Sequence, residues 1–506
     1  MAKKALSSVD TAWLRMEDPT NLMMITGVMV FGQPLVYERL KATLEERLLI
    51  FDRFRQRIVQ PALPGASPYW EDDPNLDLRY HLQRATLPPP GDRAALQELA
   101  SLLASTQLDF SRPLWQLHLV DGYGGGSALI CRLHHCIGDG LALVHVLLSL
   151  TDNEPDAPWP VSRPKRHDTQ IRTPFDSLFR RTGKAFNKTQ RLAGTVLKEG
   201  LEVWKRPARA VDLARTGVRG TESLARLLLL WPDPDTVFKG PLGVAKRAAW
   251  SDPIPLKEVK SIGRALGGTV NDVLLTAMTG SLRRYLEGRG ERVEGLNVRA
   301  VVPVNLRRPG TEAELGNKFG LFFLSLPVGM AEPLQRLREI VRRMDARKDS
   351  LEAPVAFGIL TAIGMSPSQI QDIVVTMFGA KGTTVMTNVM GPREGLYLAG
   401  APLEGLMFWV PQSGRLGIGV SILSYAGSVW MGVMTDAGLV PDPEAVIAGF
   451  YAEFEELHSL ATQPESPPLP RERCRGRTRS GLPCKNYPLA GSAYCRVHQG
   501  QGTPRG

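Results

Sequence analysis

No apolar run in this 506-residue sequence matches the length of a bilayer span: stretches such as Leu227–Trp231 fall far short of the roughly 18 to 20 residues required. No transmembrane segment is expected. The opening MAKKALSSVDTAWLRMED carries two lysines but no apolar stretch behind them, which excludes a working signal peptide and predicts a cytoplasmic chain. Cysteine is scarce, five in all, and the odd total with a cytosolic address argues against a disulfide framework. Short tandem repeats are absent, although the two halves have similar element content. With 43% hydrophobic and 22% charged residues the chain is not disordered, and its length suffices for more than one core.

The net charge of +10 is unevenly placed. Sixteen Lys/Arg against six Asp/Glu lie between Arg163 and Arg226, and eight against one between Arg471 and Gly506, so the remainder is mildly acidic. A basic internal connector and a basic tail suggest an anionic partner such as lipid headgroups, with a solvated basic linker as the plainer reading. Between Phe175 and Trp231 apolar residues alternate with cations at helical intervals, predicting basic amphipathic helices that either lie on a membrane surface or pack as an interdomain connector.

The element pattern predicts an α/β (α+β) protein. Trp115–Val120 and Ser127–Leu133 read as strands of a hairpin around the turn residues of 121–126, followed by an apolar helix over Leu141–Leu150. Pro-rich, polar sequence from Asn153 to Pro174 marks a domain edge. A second αβ pattern begins near Gly240: a helix over Val270–Leu286 closed by Gly288, strands over Leu296–Val304 and Leu321–Val328, a basic helix over Pro333–Leu351, several strands between Thr383 and Asp436, and a closing helix over Pro441–Leu460. Four prolines in Pro464–Pro470 form a linker. The predicted divisions are therefore 1–155, a connector at 156–239, 240–463, and a tail at 464–506.

His134 and His135 leave a strand together, ahead of Cys136-Ile137-Gly138-Asp139-Gly140. Adjacent side chains in extended backbone face opposite ways, so one histidine can serve a cleft and the other is structural. A neutral imidazole can take a proton from a hydroxyl, Asp139 can orient the loop, and Gly138 and Gly140 permit a turn. A histidine pair satisfied at a strand end explains the spacing equally well. Asn271, near a helix start, has an amide able to donate to an oxyanion, or simply to cap the helix. Pro113 and Trp115 suit core packing. Asn317 and Asn388, beside Gly316 and near Gly391, suit turn geometry.

HHCIGDG fits the HHxxxDG signature of acyl-CoA-dependent acyltransferases and nonribosomal peptide condensation domains, and the flanking sequence resembles the bacterial wax ester synthase/diacylglycerol acyltransferase family. Further blocks agree in order: SSVDTAWLRMED, Pro113-Leu114-Trp115, Asn271-Asp272, LGNKFG from Leu315, and TNVMGP from Thr387, the last departing from the family's usual SNVPGP at Thr387 and Met390. The resemblance spans roughly residues 5 to 460. It implies two chloramphenicol-acetyltransferase-like subdomains, each a mixed sheet flanked by helices, facing each other across a solvent channel. It also implies His135 as the general base that deprotonates an acceptor hydroxyl for attack on an acyl-CoA thioester, with no covalent acyl-enzyme. Asp139 would pair with an arginine, Asn271 would donate to the oxyanion, and no cofactor or metal would take part in the chemistry.

The tail lies outside this resemblance. Cys474, Cys484, Cys495 and His498 supply three thiolates and an imidazole, a tetrahedral set for structural zinc, and the segment is similar to short Cys3His modules of bacterial proteins. So short a segment needs a metal to fold, free cysteines in a disordered tail being the other reading. No nucleic-acid partner is expected, since the basic tail lacks an aromatic platform. The resemblance thus implies an enzyme esterifying diacylglycerol or a fatty alcohol with acyl-CoA, peripherally attached to an anionic membrane or lipid droplet. Alternatives are a catalytically silent lipid-binding module of the same fold or a condensation-type enzyme with another acceptor.

Overall fold

A computed structural model describes residues 4–62, 66–159, 230–307, 315–347, 352–366, 375–412 and 416–462, together with Leu227 and scattered residues of the 474–498 tail. The basic segment from Arg163 to Arg226, with its predicted amphipathic helices, lies outside the described residues. Among those described, no helix is long and apolar enough to cross a membrane.

Two compact units emerge, and they do not follow one another along the chain. The first draws on segments 1–254, 298–323 and 351–447, the second on 255–297, 324–350 and 448–506.

The first unit is built around two seven-stranded mixed sheets and a small three-stranded one. In the first large sheet Trp115–Tyr123 pairs with Gly126–His134 through a two-residue turn at Gly124-Gly125. Both glycines have positive φ, the requirement of a turn whose twist matches that of its strands. The strands therefore run further into the 121–126 stretch than turn composition alone predicts. Met24–Phe31 flanks the hairpin on one side and Leu82–Thr86 lies parallel on the other. Beyond Met24–Phe31 the sheet takes Ala401–Trp409, then Tyr397–Leu398 and Thr151–Asp152. Strands from beyond residue 396 thus complete a sheet begun before residue 35, because Met24–Phe31, apolar along nearly its whole length, needs a partner on each edge.

The second large sheet runs Ile254–Pro255, Ser428–Asp436, Ile418–Tyr425, Thr384–Met390, Val298–Asn305, Phe319–Leu326, with Lys246–Trp250 also on Ser428–Asp436. Trp250 and Trp409, one from each sheet, meet with ring centroids 5.6 Å apart. The helix Gly140–Leu150 follows the hairpin directly.

In the second unit the helix Val270–Gly288 opens on a capping box: the Thr269 hydroxyl accepts from the Asp272 amide and the Asp272 carboxylate accepts from the Thr269 amide. The left-handed residue after this helix is Gly290, two positions later than expected, and Gly288 is still helical. The basic helix stops at Asp345, short of Leu351. Its Arg336 is buried against Glu453, which also accepts from Arg284 at 2.7 Å. A Cβ on Gly280 would collide with both Arg336 and Glu453, so this ion pair fixes a glycine in mid-helix.

Candidate active site

The loop from His134 to Asp139 is buried, and four segments of the first unit hold it. The His135 amide donates to the Met23 carbonyl at 2.7 Å, continuing the ladder between Met24–Phe31 and Gly126–His134 by one rung. The two histidines then separate, as strand alternation predicts. His134 Nδ1 accepts from the Cys136 amide at 3.1 Å, its ring meets Phe110 edge-on, and its Nε2 lies 3.5 Å from Glu17 Oε2.

His135 stacks on Trp13, centroids 4.2 Å apart and planes 11° from parallel, and leans on Phe319 at 5.6 Å. Its Nδ1 is buried with no hydrogen-bond partner among the described residues. Burial pushes the imidazole down to about 4, against the opposing pull of its own carbonyl and Asp139, so it is neutral at pH 7. Cys136 is no rival nucleophile, because burial holds its thiol well above the ordinary range.

Asp139 caps the helix Gly140–Leu150, one oxygen accepting from the Ala142 amide at 3.0 Å. The other accepts from Arg307 Nη2 at 2.7 Å and from the Lys318 amide at 2.9 Å. Arg307 is the arginine the motif calls for, and it also donates to the Gly316 carbonyl.

Asp10 forms a second, parallel clamp. Its carboxylate accepts from Arg53 Nη2 at 2.9 Å and from Asn317 Nδ2 at 2.8 Å. Arg53 also donates to the carbonyls of Cys136 and Ile137, and Asn317 Nδ2 to that of His135 at 2.7 Å. Three consecutive carbonyls of the motif loop are therefore held from outside it.

These contacts correct several sequence-based readings. Asn317 is a tie between Asp10 and the motif loop, not a turn residue. Neither Gly138 nor Gly140 adopts a left-handed φ; the strained position is Gly316, at φ +115, where a Cβ would lie 3.3 Å from the Arg53 guanidinium. Gly138 instead bridges to Gly316, and a Cβ there would press on Ala142 at 3.2 Å. A Cβ at Gly140 would meet nothing.

Pro113 and Trp115 are buried as expected, the Trp115 indole donating to the Phe54 carbonyl at 2.9 Å and stacking on His81. Asn271 lies in the second unit, half-buried in the first turn of its helix, with Thr269 rather than Asn271 as the cap and Asp272 completing the capping box. Sequence reasoning did not single out Asp10, Arg53 or Arg307, although Asp10 lies inside the SSVDTAW block.

In the tail Cys474, Cys484, Cys495 and His498 come together, their ligand atoms all within 4.8 Å of one another and all four residues buried. Cys484 Sγ and Cys495 Sγ are 3.8 Å apart, the edge of a tetrahedron with metal–sulfur distances of about 2.3 Å. The amides of Gly476 and Cys495 donate to Cys474 Sγ, as they would to a thiolate, and a Cβ on Gly476 would collide with the His498 ring. The donor set and spacing fit a tetrahedral metal.

Comparison with known proteins adds an independent line. A model of the wax ester synthase/diacylglycerol acyltransferase catalytic domain matches residues 6–274, and one of the C-terminal domain that accompanies it matches 315–458. A Mycobacterium tuberculosis protein provisionally named a diacylglycerol O-acyltransferase is 29% identical over 484 residues, covering 92% of each chain. Among solved structures, the fold is similar to the wax ester synthase/diacylglycerol acyltransferase from Marinobacter aquaeolei VT8, with a TM-score of 0.65 and 22% identity over 91% of this chain and all of that one. It is also similar to the first condensation domain of the calcium-dependent antibiotic synthetase, at TM-score 0.56 and 15% identity over 92% and 97% of the two chains.

Proposed function

This chain belongs to the wax ester synthase/diacylglycerol acyltransferase family, and from that premise we infer that His135 is the general base of an acyl-CoA-dependent O-acyltransferase acting on diacylglycerol or a long-chain alcohol. The observation that carries the assignment is the His135 ring: buried, neutral at pH 7, and bearing a nitrogen with no protein partner among the described residues. Neutral imidazole takes the acceptor's proton as the oxygen attacks the thioester carbonyl. The C–S bond of the tetrahedral intermediate then breaks, releasing ester and CoA, and the proton passes to the thiolate. Trp13, parallel to the ring at 4.2 Å, offers its face to the imidazolium as it forms. His134 and Asp139 are positioning residues, the first holding the Cys136 amide and the second tying the loop to Arg307 and Lys318.

The likeness to condensation domains supports reading the two large sheets as chloramphenicol-acetyltransferase-like. The Cys3His cluster suits structural zinc, held by three thiolates and His498 Nδ1 and acting on the fold of the tail alone. Peripheral contact with an anionic membrane or lipid droplet, through the basic segment Arg163–Arg226, agrees with water-insoluble acceptors.

The test is incubation of purified protein with radiolabelled palmitoyl-CoA and either diacylglycerol or hexadecanol, followed by separation of the lipids. Labelled triacylglycerol or wax ester is expected. CoA release without either product would point to a different acceptor, and no acyl consumption would leave a silent binding module.

A further inference from the structure

Trp13 is 5% exposed, yet its indole Nε1 has no hydrogen-bond partner among the described residues. Buried polar groups are nearly always paired, so a buried N–H without an acceptor calls for a reason. Its packing supplies none: the buried residues clustered with it are Val9, Met23 and Phe319, whose side chains contain no oxygen or nitrogen. The indoles of Trp70 and Trp409 are likewise without partners among the described residues, but of the three only Trp13 stacks on His135.

The stack uses the face of the indole and leaves its N–H over. With the two planes 11° apart, the N–H lies in a plane beside the imidazole and does not point at it. The partner-free Nδ1 of His135 lies in the neighbouring plane. Phe319 leans on both rings, at 5.9 Å from Trp13 and 5.6 Å from His135. The helix that carries Trp13, Ser8–Arg15, is fixed at its start: Ser7 caps it, accepting from the Asp10 amide at 3.1 Å. Asp10, one turn before Trp13, is the carboxylate that Arg53 and Asn317 hold. A donor fixed before reaction in apolar surroundings is suited to stabilising charge that develops in a transition state.

We propose that the Trp13 indole N–H donates to the carbonyl oxygen of the acyl thioester, which makes Trp13 a catalytic residue beside His135. The proposal rests on the acyltransferase reading above and deepens it by assigning the thioester a donor. As the acceptor hydroxyl gives its proton to His135, its oxygen bonds to the thioester carbon and the C=O electron pair moves onto the carbonyl oxygen. There the indole N–H meets the negative charge. The C=O bond re-forms as the C–S bond breaks, and the proton on His135 passes to the sulfur. The imidazole thus serves one oxygen of the tetrahedral carbon and the indole the other.

Trp13→Phe keeps an aromatic face against His135 and removes the N–H. The unnatural substitution Trp13→β-(3-benzothienyl)alanine exchanges only the N–H for sulfur and keeps the shape of the ring. Loss of one such donor costs on the order of 10² in kcat, and a donor engaged only in the transition state leaves KM within about threefold. In the isostere, a fall in kcat of about tenfold or more supports the proposal, and a smaller one overturns it even if Trp13→Phe is slow, because the stack then matters and the N–H does not. Should circular dichroism show that the isostere does not fold, Trp13→Phe is judged by the same limit. If the unmodified protein transfers no acyl group, it is the enzymatic reading that fails. The indole proton of Trp13 then decides the proposal by itself, its signal in the spectrum of ¹⁵N-tryptophan-labelled protein being the one that Trp13→Phe lacks. A downfield shift on adding a CoA thioether that carries a ketone in place of the thioester carbonyl supports the donor, and an unmoved signal refutes it.

Discussion

Replacing Arg307 tests whether the reactive loop is held by charge or merely by packing. Arg307 and Asp139 are both buried and 2.7 Å apart, and the guanidinium also donates to the Gly316 carbonyl. Arg307→Met keeps the volume and removes the charge, leaving a buried carboxylate with two amide donors, Ala142 and Lys318. Breaking a buried pair on one side costs about 3 to 5 kcal/mol, and the two surviving donors place this case near the lower figure. Three kcal/mol is more than a hundredfold in the folding equilibrium. The loop it frees carries His135, and a displacement of about 1 Å at a reacting group costs on the order of a hundredfold in rate. Urea unfolding followed by circular dichroism, with initial rates of CoA release, measures both effects. Because Asp139→Asn removes the opposite charge, the double variant is expected to retain at least about 1.5 kcal/mol more than the sum of the single losses predicts. Additive losses within about 0.5 kcal/mol, with turnover intact in Arg307→Met, would refute the clamp.

His135→Ala is expected to lose on the order of 10² to 10⁴ in kcat, and the acid limb of kcat/KM in the unmodified enzyme should lie near pH 4 rather than 6.5; residual esterification at the unmodified rate rules out the base assignment. Burial also pushes His118 down to about 4, so the unfolded chain binds more protons than the folded one below pH 6.5 and stability falls with pH. From pH 7.5 to 5 that amounts to about 2 kcal/mol for each of the two histidines, and His118→Asn should remove its share of the pH dependence in unfolding experiments. Glu453→Ala strands the buried Arg336 and is expected to cost about 3 to 5 kcal/mol, with a smaller loss for Glu453→Gln; equal, negligible losses would mean the pair contributes nothing. Denaturation in the presence of a chromophoric chelator should release one equivalent of zinc per chain and none from Cys484→Ser, with triacylglycerol or wax ester synthesis unaffected; an unmodified protein free of metal removes the zinc assignment.

What the sequence made legible was local. The Trp115–Tyr123 and Gly126–His134 hairpin follows from two-residue alternation and a glycine turn, and the Gly140–Leu150 helix from an apolar run. The same alternation separates His134 from His135. What could not be read is whatever depends on contacts between distant residues. Arg307 lies 168 positions from Asp139, and Asp10 lies 307 from Asn317, and no periodicity links them. The stretch from Thr383 to Asp436 likewise reads as several strands without saying which sheet Ala401–Trp409 joins. The glycines misled for a related reason: Gly138 and Gly140 read as a turn, whereas the conformational demand sits at Gly316, whose φ is set by the crossing of two remote segments.

The position of Ala401–Trp409 between Met24–Phe31 and the strand Tyr397–Leu398 has a consequence for biosynthesis. The ribosome finishes His134, the end of the strand leading into the reactive loop, 275 residues before Trp409. At roughly 5 to 20 residues per second that interval lasts on the order of 15 to 55 s. Throughout it the nascent first sheet exposes the apolar edge of Met24–Phe31 with its hydrogen-bonding groups unmatched, a surface on which two nascent chains on one polysome can pair. The motif loop is thus made well before the strand that completes its sheet.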